Sequence, residues 1–169
     1  MTDTFRRSLL LFAGLCCFGA VAFAYFYLEK TLYLNPCPLC MMQRLAFVLI
    51  GTMFILDALV WPQGAVGAWL MRIGKYLSIF FGIALAARHL YIQNLPADKV
   101  PACGLDFYGL MDSNSLFAGL FKAMQGDGDC AVQDTWPLEG MFALTIPTWS
   151  MILYIALLFG CILSERARK

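Results

Sequence analysis

Cysteine is the residue type in this 169-residue chain with the most chemistry to offer, and its seven copies are unevenly spaced. Cys37 and Cys40 stand close together in Asn35-Pro36-Cys37-Pro38-Leu39-Cys40. A Cys-x-x-Cys pair is suited to thiol–disulfide exchange, in which a thiolate attacks a disulfide sulfur. With Pro38 as the first helical residue, Cys37 falls at the cap and Cys40 in the first turn. Backbone N–H groups are unpaired there and the helix dipole favours an anion, so the thiolate form is stabilised. Arg44 follows Cys40 by four residues, on the same helical face and about one turn deeper, and brings a permanent cation. Cys103 and Cys130 make a second, wider pair with 26 residues between them.

These residues must be held by a chain that is not composed like a soluble domain. Hydrophobic residues make up 61% and charged residues 14%, against roughly 45–50% and 25% in ordinary globular chains. Mean hydropathy is +0.72. One core of this size cannot hide so much apolar surface, so the bilayer is the second apolar solvent. The same figures exclude disorder, a collagen-like repeat and a nucleic-acid binder with a basic surface, and a net charge of +1 names no partner. Four apolar stretches, approximately 9–28, 41–60, 70–92 and 146–163, predict an all-α membrane protein. The whole chain, 1–169, forms a single integral membrane domain, a four-transmembrane-helix bundle with outer loops at 29–40 and 93–145. Arg72 and Lys75 at one end of the third stretch, and Arg88 and His89 at the other, are expected to reach the interface. Asp57, near the inner end of the second, reads either as an interfacial carboxylate or as a partner in the bundle interior. Arg6 and Arg7 followed by an apolar run, with Ala22-Phe23-Ala24 behind, imitate a cleavable signal peptide; the run's length favours a retained span.

Orientation follows from the basic residues. With both termini inside, Arg6, Arg7, Arg72, Lys75, Arg166, Arg168 and Lys169 are inner, and Lys30, Arg44, Arg88, Lys99 and Lys122 are outer. Both termini are therefore expected in the cytoplasm. Cys16, Cys17 and Cys161 then lie within spans, where cysteine packs as a small hydrophobe. Cys37, Cys40, Cys103 and Cys130 lie outside, where an oxidising compartment implies disulfides. A structural staple at Cys37–Cys40 closes too short a ring to remove much unfolded-state entropy, and strained short bridges are the exchangeable ones. A zinc site of all four cysteines lacks close ligand spacing around Cys103 and Cys130, so no metal is expected. Alone, a Cys103–Cys130 bridge would be an ordinary staple; beside a redox pair, a flexible loop can carry it to two exchange partners. Within that loop, Leu116, Phe117, Leu120, Phe121 and Met124 recur at helical spacing. They predict a short helix, either lying in the membrane interface or packed as a small core under the loop.

The run Cys37-Pro38-Leu39-Cys40-Met41-Met42-Gln43-Arg44, at the start of the second span and with a second outer cysteine pair, resembles the active-site stretch of the DsbB family. These are bacterial inner-membrane disulfide-formation proteins. The resemblance covers nearly the whole chain and implies a thiol:quinone oxidoreductase whose active cysteines face the periplasm. Cys103 would form a mixed disulfide with a reduced DsbA-like thiol oxidase, and Cys130 would be its bridge partner. Electrons would pass to the Cys37–Cys40 disulfide through Cys37. Cys40 would then face ubiquinone or menaquinone as a thiolate stabilised by Arg44. The resemblance also implies a cofactor-binding place for His89, which reads equally as an interfacial residue. Vitamin K epoxide reductase-type bundles share four spans and a Cys-x-x-Cys, but theirs belongs near the chain end. A non-enzymatic alternative is a disulfide-stapled scaffold or assembly protein. No nucleotide-binding glycine pattern or haem motif supplies another electron acceptor.

Overall fold

The computed structural model of the protein describes residues 3–60, 64–132, 135–136 and 144–166. Arg168 and Lys169, used in the orientation argument, and residues 137–143 of the second outer loop lie outside these. Four helices are long and apolar enough to cross a membrane. The first, α1, covers Asp3–Phe23 and continues as a π turn over Ala24–Glu29. Helix α2 covers Pro38–Val60 and α3 Ala65–Gln93. Two short helices follow, α4 at Phe107–Ser113 and α5 at Leu116–Gln125, then a 3₁₀ turn at Gly128–Ala131. A two-residue antiparallel ladder pairs β1 (Thr135–Trp136) with β2 (Leu144–Thr145), which leads into α6 (Ile146–Arg166).

In the bundle α1 packs on α2, α2 on α3, α3 on α6, and α6 closes back on α1. Leu10, Cys17, Phe47, Ile50, Phe54, Ile79, Leu85 and Tyr154 fill the interior. Phe12, Leu15, Leu59, Leu77, Phe80 and Phe159 point outward and exposed, as lipid-facing positions must. Helices associate in lipid through close packing rather than hydrophobic exclusion, so small residues mark the crossings. At the α1–α2 crossing, a Cβ added to Gly14 would stand 3.1 Å from the Gly51 carbonyl oxygen, and one added to Gly51 would stand 3.1 Å from that of Gly14.

Charged groups join all four long helices at the end where the described chain begins and ends. Asp57 Oδ2 accepts from Arg6 at 2.9 Å and from Lys75 Nζ at 2.6 Å. Lys75 also donates to Glu165 Oε1 at 2.7 Å, and Arg72 meets the same carboxylate at 2.8 Å. Asp57 is thus the interior partner, fully buried, and Lys75 is 1% exposed rather than reaching outward. Two carboxylates within reach make burial of the ammonium cheaper than extending it. At this end α1 and α6 outrun the apolar stretches of the sequence, and the added turns carry the paired Arg6 and Glu165.

At the opposite end α5 lies against α2. Gly119 and Ala123 are buried, and Leu120 and Met124 pack on the core. Leu116, Phe117 and Phe121 are 64–84% exposed. The apolar set read as one face is therefore divided, with an inner edge on the bundle and an outer edge uncovered. Gly126 ends the helix at φ +70°, where a Cβ would come within 2.7 Å of both Leu39 and Ile92. Only glycine permits that turn this close to the start of α2 and the end of α3.

Candidate functional site

The site is built around the first turn of α2. Pro38 opens the helix, and the Cys37 carbonyl accepts its first backbone hydrogen bond, from Met41 N at 3.2 Å. Cys37 is thus the cap, and its sulfur takes the Cys40 backbone N–H at 3.4 Å. That amide is one of the otherwise unpaired donors of a helix start, so negative charge on Cys37 is stabilised there. The two thiol sulfurs are in contact, 3.3 Å apart.

Cys130 is brought to the same place. Buried in the 3₁₀ turn, its sulfur lies with the Cys37 sulfur and a His89 ring nitrogen inside one cluster, all within 4.8 Å of one another. The last turns of α3 hold the loop on either side of it. Arg88 Nε donates to the Gln125 carbonyl at 3.2 Å, and Gln93 Nε2 donates to the Val132 carbonyl at 3.0 Å. Cys103 is exposed, but its segment touches the Cys130 turn, since Gly128 N donates to the Ala102 carbonyl at 3.2 Å. One loop cysteine therefore faces outward while the other faces the helix start.

The electrostatics of the thiols differ. The contact with Cys130 pulls the Cys37 thiol down, but its bond to Cys40 and its burial outweigh that and leave it above the ordinary thiol range. Cys130 is pushed up by Cys37 and by burial. Cys103 is raised chiefly by Asp129, through a hydrogen bond and its charge.

His89 Nε2 lies 3.8 Å from the Cys37 sulfur, and the Gln43 amide lies 3.2 Å from Nδ1. With that amide donating to Nδ1, the ring proton is on Nε2, directed at sulfur. Helix α6 steadies this wall, because Tyr154 donates to the Gln43 backbone carbonyl at 2.8 Å and stacks on Phe47 with centroids 4.3 Å apart.

On the other side of Cys40 an apolar cavity of about 200 Å³ opens between α1, α2 and α6, with Phe23, Leu28, Phe47 and Leu153 among its walls and Arg44 beside Cys40. Arg44 is engaged there: it donates to Glu29 Oε2 at 2.7 Å and to the Ala24 carbonyl at 3.5 Å, at the two ends of the π turn. Among the described residues no hydrogen bond joins Arg44 to Cys40. His89 does not line this cavity but a smaller void behind the cysteines. Glu29, Gln43, Gln93 and Tyr154 were not singled out in the sequence. Gln43 stands inside the motif and could have been suspected, whereas Glu29 and Tyr154 carry no local signal.

The structure thus gathers Cys37, Cys40, Cys130 and His89, sets Arg44 across the cavity wall and leaves Cys103 outside. The family model described as disulfide bond formation protein DsbB matches residues 6–164. A disulfide bond formation protein B of Hahella chejuensis is 37% identical over 150 residues, covering 89% of this chain and 87% of the relative. Proteins of the same name from Xanthomonas campestris pv. campestris, strain 8004, and Saccharophagus degradans are 34% and 35% identical, covering 89% and 90% of this chain and 85% and 87% of those relatives. No solved structure gives a significant match. With the family match spanning nearly the whole chain and a cysteine pair at the start of its second span, this protein belongs to the DsbB family of disulfide bond formation proteins.

Proposed function

We propose that the protein reoxidises a DsbA-like dithiol partner by disulfide exchange and delivers the electron pair to a membrane quinone, ubiquinone or menaquinone. The observation that carries this reading is the apposition of Cys130 with Cys37, which gives electrons a route from the loop to the helix start. The partner's thiolate attacks exposed Cys103 of a Cys103–Cys130 disulfide, forming a mixed disulfide and freeing Cys130 as a thiolate. Cys130 attacks Cys37, which opens the Cys37–Cys40 disulfide and releases Cys40 as a thiolate. The partner's second thiolate then displaces Cys103, and Cys103 displaces Cys37 from Cys130. The partner has become a disulfide, the loop bridge is restored, and Cys37 and Cys40 hold two more electrons.

The apolar cavity suits a quinone ring, because most of its walls are aromatic and aliphatic and Cys40 and Arg44 stand among its few polar residues, with Asn35, Gln43 and Ser150. A quinone bound there accepts two electrons and two protons, which is the driving force the protein itself lacks. Arg44 holds positive charge at the wall where Cys40 becomes anionic, and Glu29 fixes its guanidinium. In this reading the protein lies in the bacterial inner membrane with its termini in the cytoplasm and the four cysteines on the periplasmic side.

Purified protein in lipid discs, given a reduced DsbA-like substrate and a soluble quinone, tests it. Cys37→Ser and Cys40→Ser should each stop turnover while helical content is unchanged. Turnover surviving both overturns the assignment and leaves a stapled scaffold. In intact spheroplasts a membrane-impermeant maleimide should label Cys103 after reduction; labelling only after the membrane is opened overturns the orientation.

A further inference from the structure

Cys37, His89 and Cys130 offer two sulfurs and an imidazole nitrogen to one point, and all three residues are buried. Sulfur with imidazole is the donor set of zinc-class d10 cations. We propose that the fully reduced protein binds one such cation, Zn²⁺, through Cys37, His89 and Cys130, with Cys40 nearest to the fourth position. This is a property of the dithiol state that needs neither quinone nor partner protein.

The Cys37–His89 edge is close to what the metal requires, and the Cys130 sulfur lies within 4.8 Å of both. Bonds of about 2.3 Å to sulfur and 2.0–2.1 Å to nitrogen in a tetrahedron give S···N edges of about 3.6 Å and S···S edges of about 3.8 Å. The Cys37 sulfur is 3.8 Å from His89 Nε2 and 3.3 Å from the Cys40 sulfur. A void of about 30 Å³ is bordered by Cys37, Cys40 and His89, with Cys130 outside its lining, so Cys130 reaches the ion from beside the void. Exposed Asp129 also borders it, and an Asp127 carboxylate oxygen is 3.6 Å from the Cys130 sulfur, so the way in carries negative charge. Gln43 can supply the outer support that metal-bound histidines ordinarily have: its amide nitrogen now lies 3.2 Å from Nδ1, and turning the amide over on metal binding brings its oxygen there to accept the ring proton and frees the Nε2 lone pair for the metal.

Binding displaces one proton each from Cys37 and Cys130, and no electrons move. Oxidation abolishes the site, because a disulfide at either pair removes one of its thiolates. The sequence disfavoured zinc for a set of four cysteines; folding instead brings Cys130 to Cys37 and adds a histidine that sequence spacing did not connect to them.

Full-length protein in detergent, reduced with a phosphine and then incubated with Zn²⁺, should retain one metal per chain after gel filtration. The oxidised protein should retain none. His89→Ala and Cys130→Ser should each weaken retention at least about tenfold, whereas Cys103→Ser should not change it. Co²⁺ in place of Zn²⁺ should give the thiolate-to-metal charge-transfer absorption of the reduced wild-type protein, which reports on the ligands without relying on any variant's folding. Reduced protein that holds no Zn²⁺, retention indifferent to both substitutions, or a cobalt spectrum without thiolate character would overturn the proposal. Because metal is measured without turnover, failure here leaves the redox reading untouched.

Discussion

The two ends of this bundle are held by opposite kinds of chemistry. At the end where the described chain begins and ends, Arg6, Asp57, Lys75 and Glu165 tie four helices through charges in a setting shielded from water. At the other end, neutral thiols, an imidazole and an amide meet at 3.2–3.8 Å, and a loop is pinned by a few side chains from α3. Breaking a buried ion pair strands a charge, so the first end has one stable arrangement. Thiol contacts are weak and can be exchanged for one another, so the second end can change partners while the helices stay fixed. The two properties are separated by the length of the spans.

Substitutions at the two ends should therefore affect different observables. The largest stability effect is expected for Asp57→Ala, which leaves Arg6 and Lys75 without their shared acceptor and should cost about 3–5 kcal/mol in denaturant unfolding of the micellar protein. Cys40→Ser should leave that unfolding curve in place while stopping turnover. A stability loss in Cys40→Ser equal to that of Asp57→Ala would erase the contrast.

Arg44→Ala sharpens the comparison within the redox end. A charge-assisted contact contributes about 1.5–3 kcal/mol, so reduction of quinone should slow at least about tenfold. Exchange of Cys103 with a DsbA-like thiol should persist, as Arg44 lines the cavity and Cys103 does not. Quinone kinetics equal to wild type would remove Arg44 from the site.

Asp129→Asn should have the smallest effect. The carboxylate raises the Cys103 pKa, so removing its charge lowers that pKa and increases the thiolate fraction at any pH below it. Alkylation of Cys103 in the reduced protein should then be faster near neutral pH, by a modest factor that shrinks as salt screens the exposed charge. An unchanged alkylation rate across the pH range would show that Asp129 does not govern this thiol.

Much of this was legible in the linear chain because bilayer and helix impose one-dimensional rules. An apolar run long enough to cross a membrane reads directly as a span, and Pro38 beside a Cys-x-x-Cys reads as a helix start with a thiol at its cap. The helix between Cys103 and Cys130 was also visible, since Leu116 to Met124 repeat with the helical period. The division of that helix into a packed and an uncovered edge was not, because periodicity tells which residues share a face but not what covers it. The short α4, capped by Asp106 through Gly109 N at 3.1 Å, was likewise missed, because seven residues are too few to show a helical period.

The sequence by itself determined that this is a four-span protein with a thiol pair at a helix start and a second pair in a long loop. Those features depend on residues adjacent in the chain. Only the tertiary structure decided that Cys130 meets Cys37, that His89 stands behind that pair and outside the apolar cavity, that Glu29 holds Arg44, and that Asp57 joins Arg6 and Lys75. The Cys130–Cys37, His89–Cys37, Glu29–Arg44 and Asp57–Arg6 contacts join residues between 15 and 93 positions apart. No local propensity encodes which distant side chains will be neighbours; the packing of the helices selects them, and the loop tied to the end of α3 completes the set.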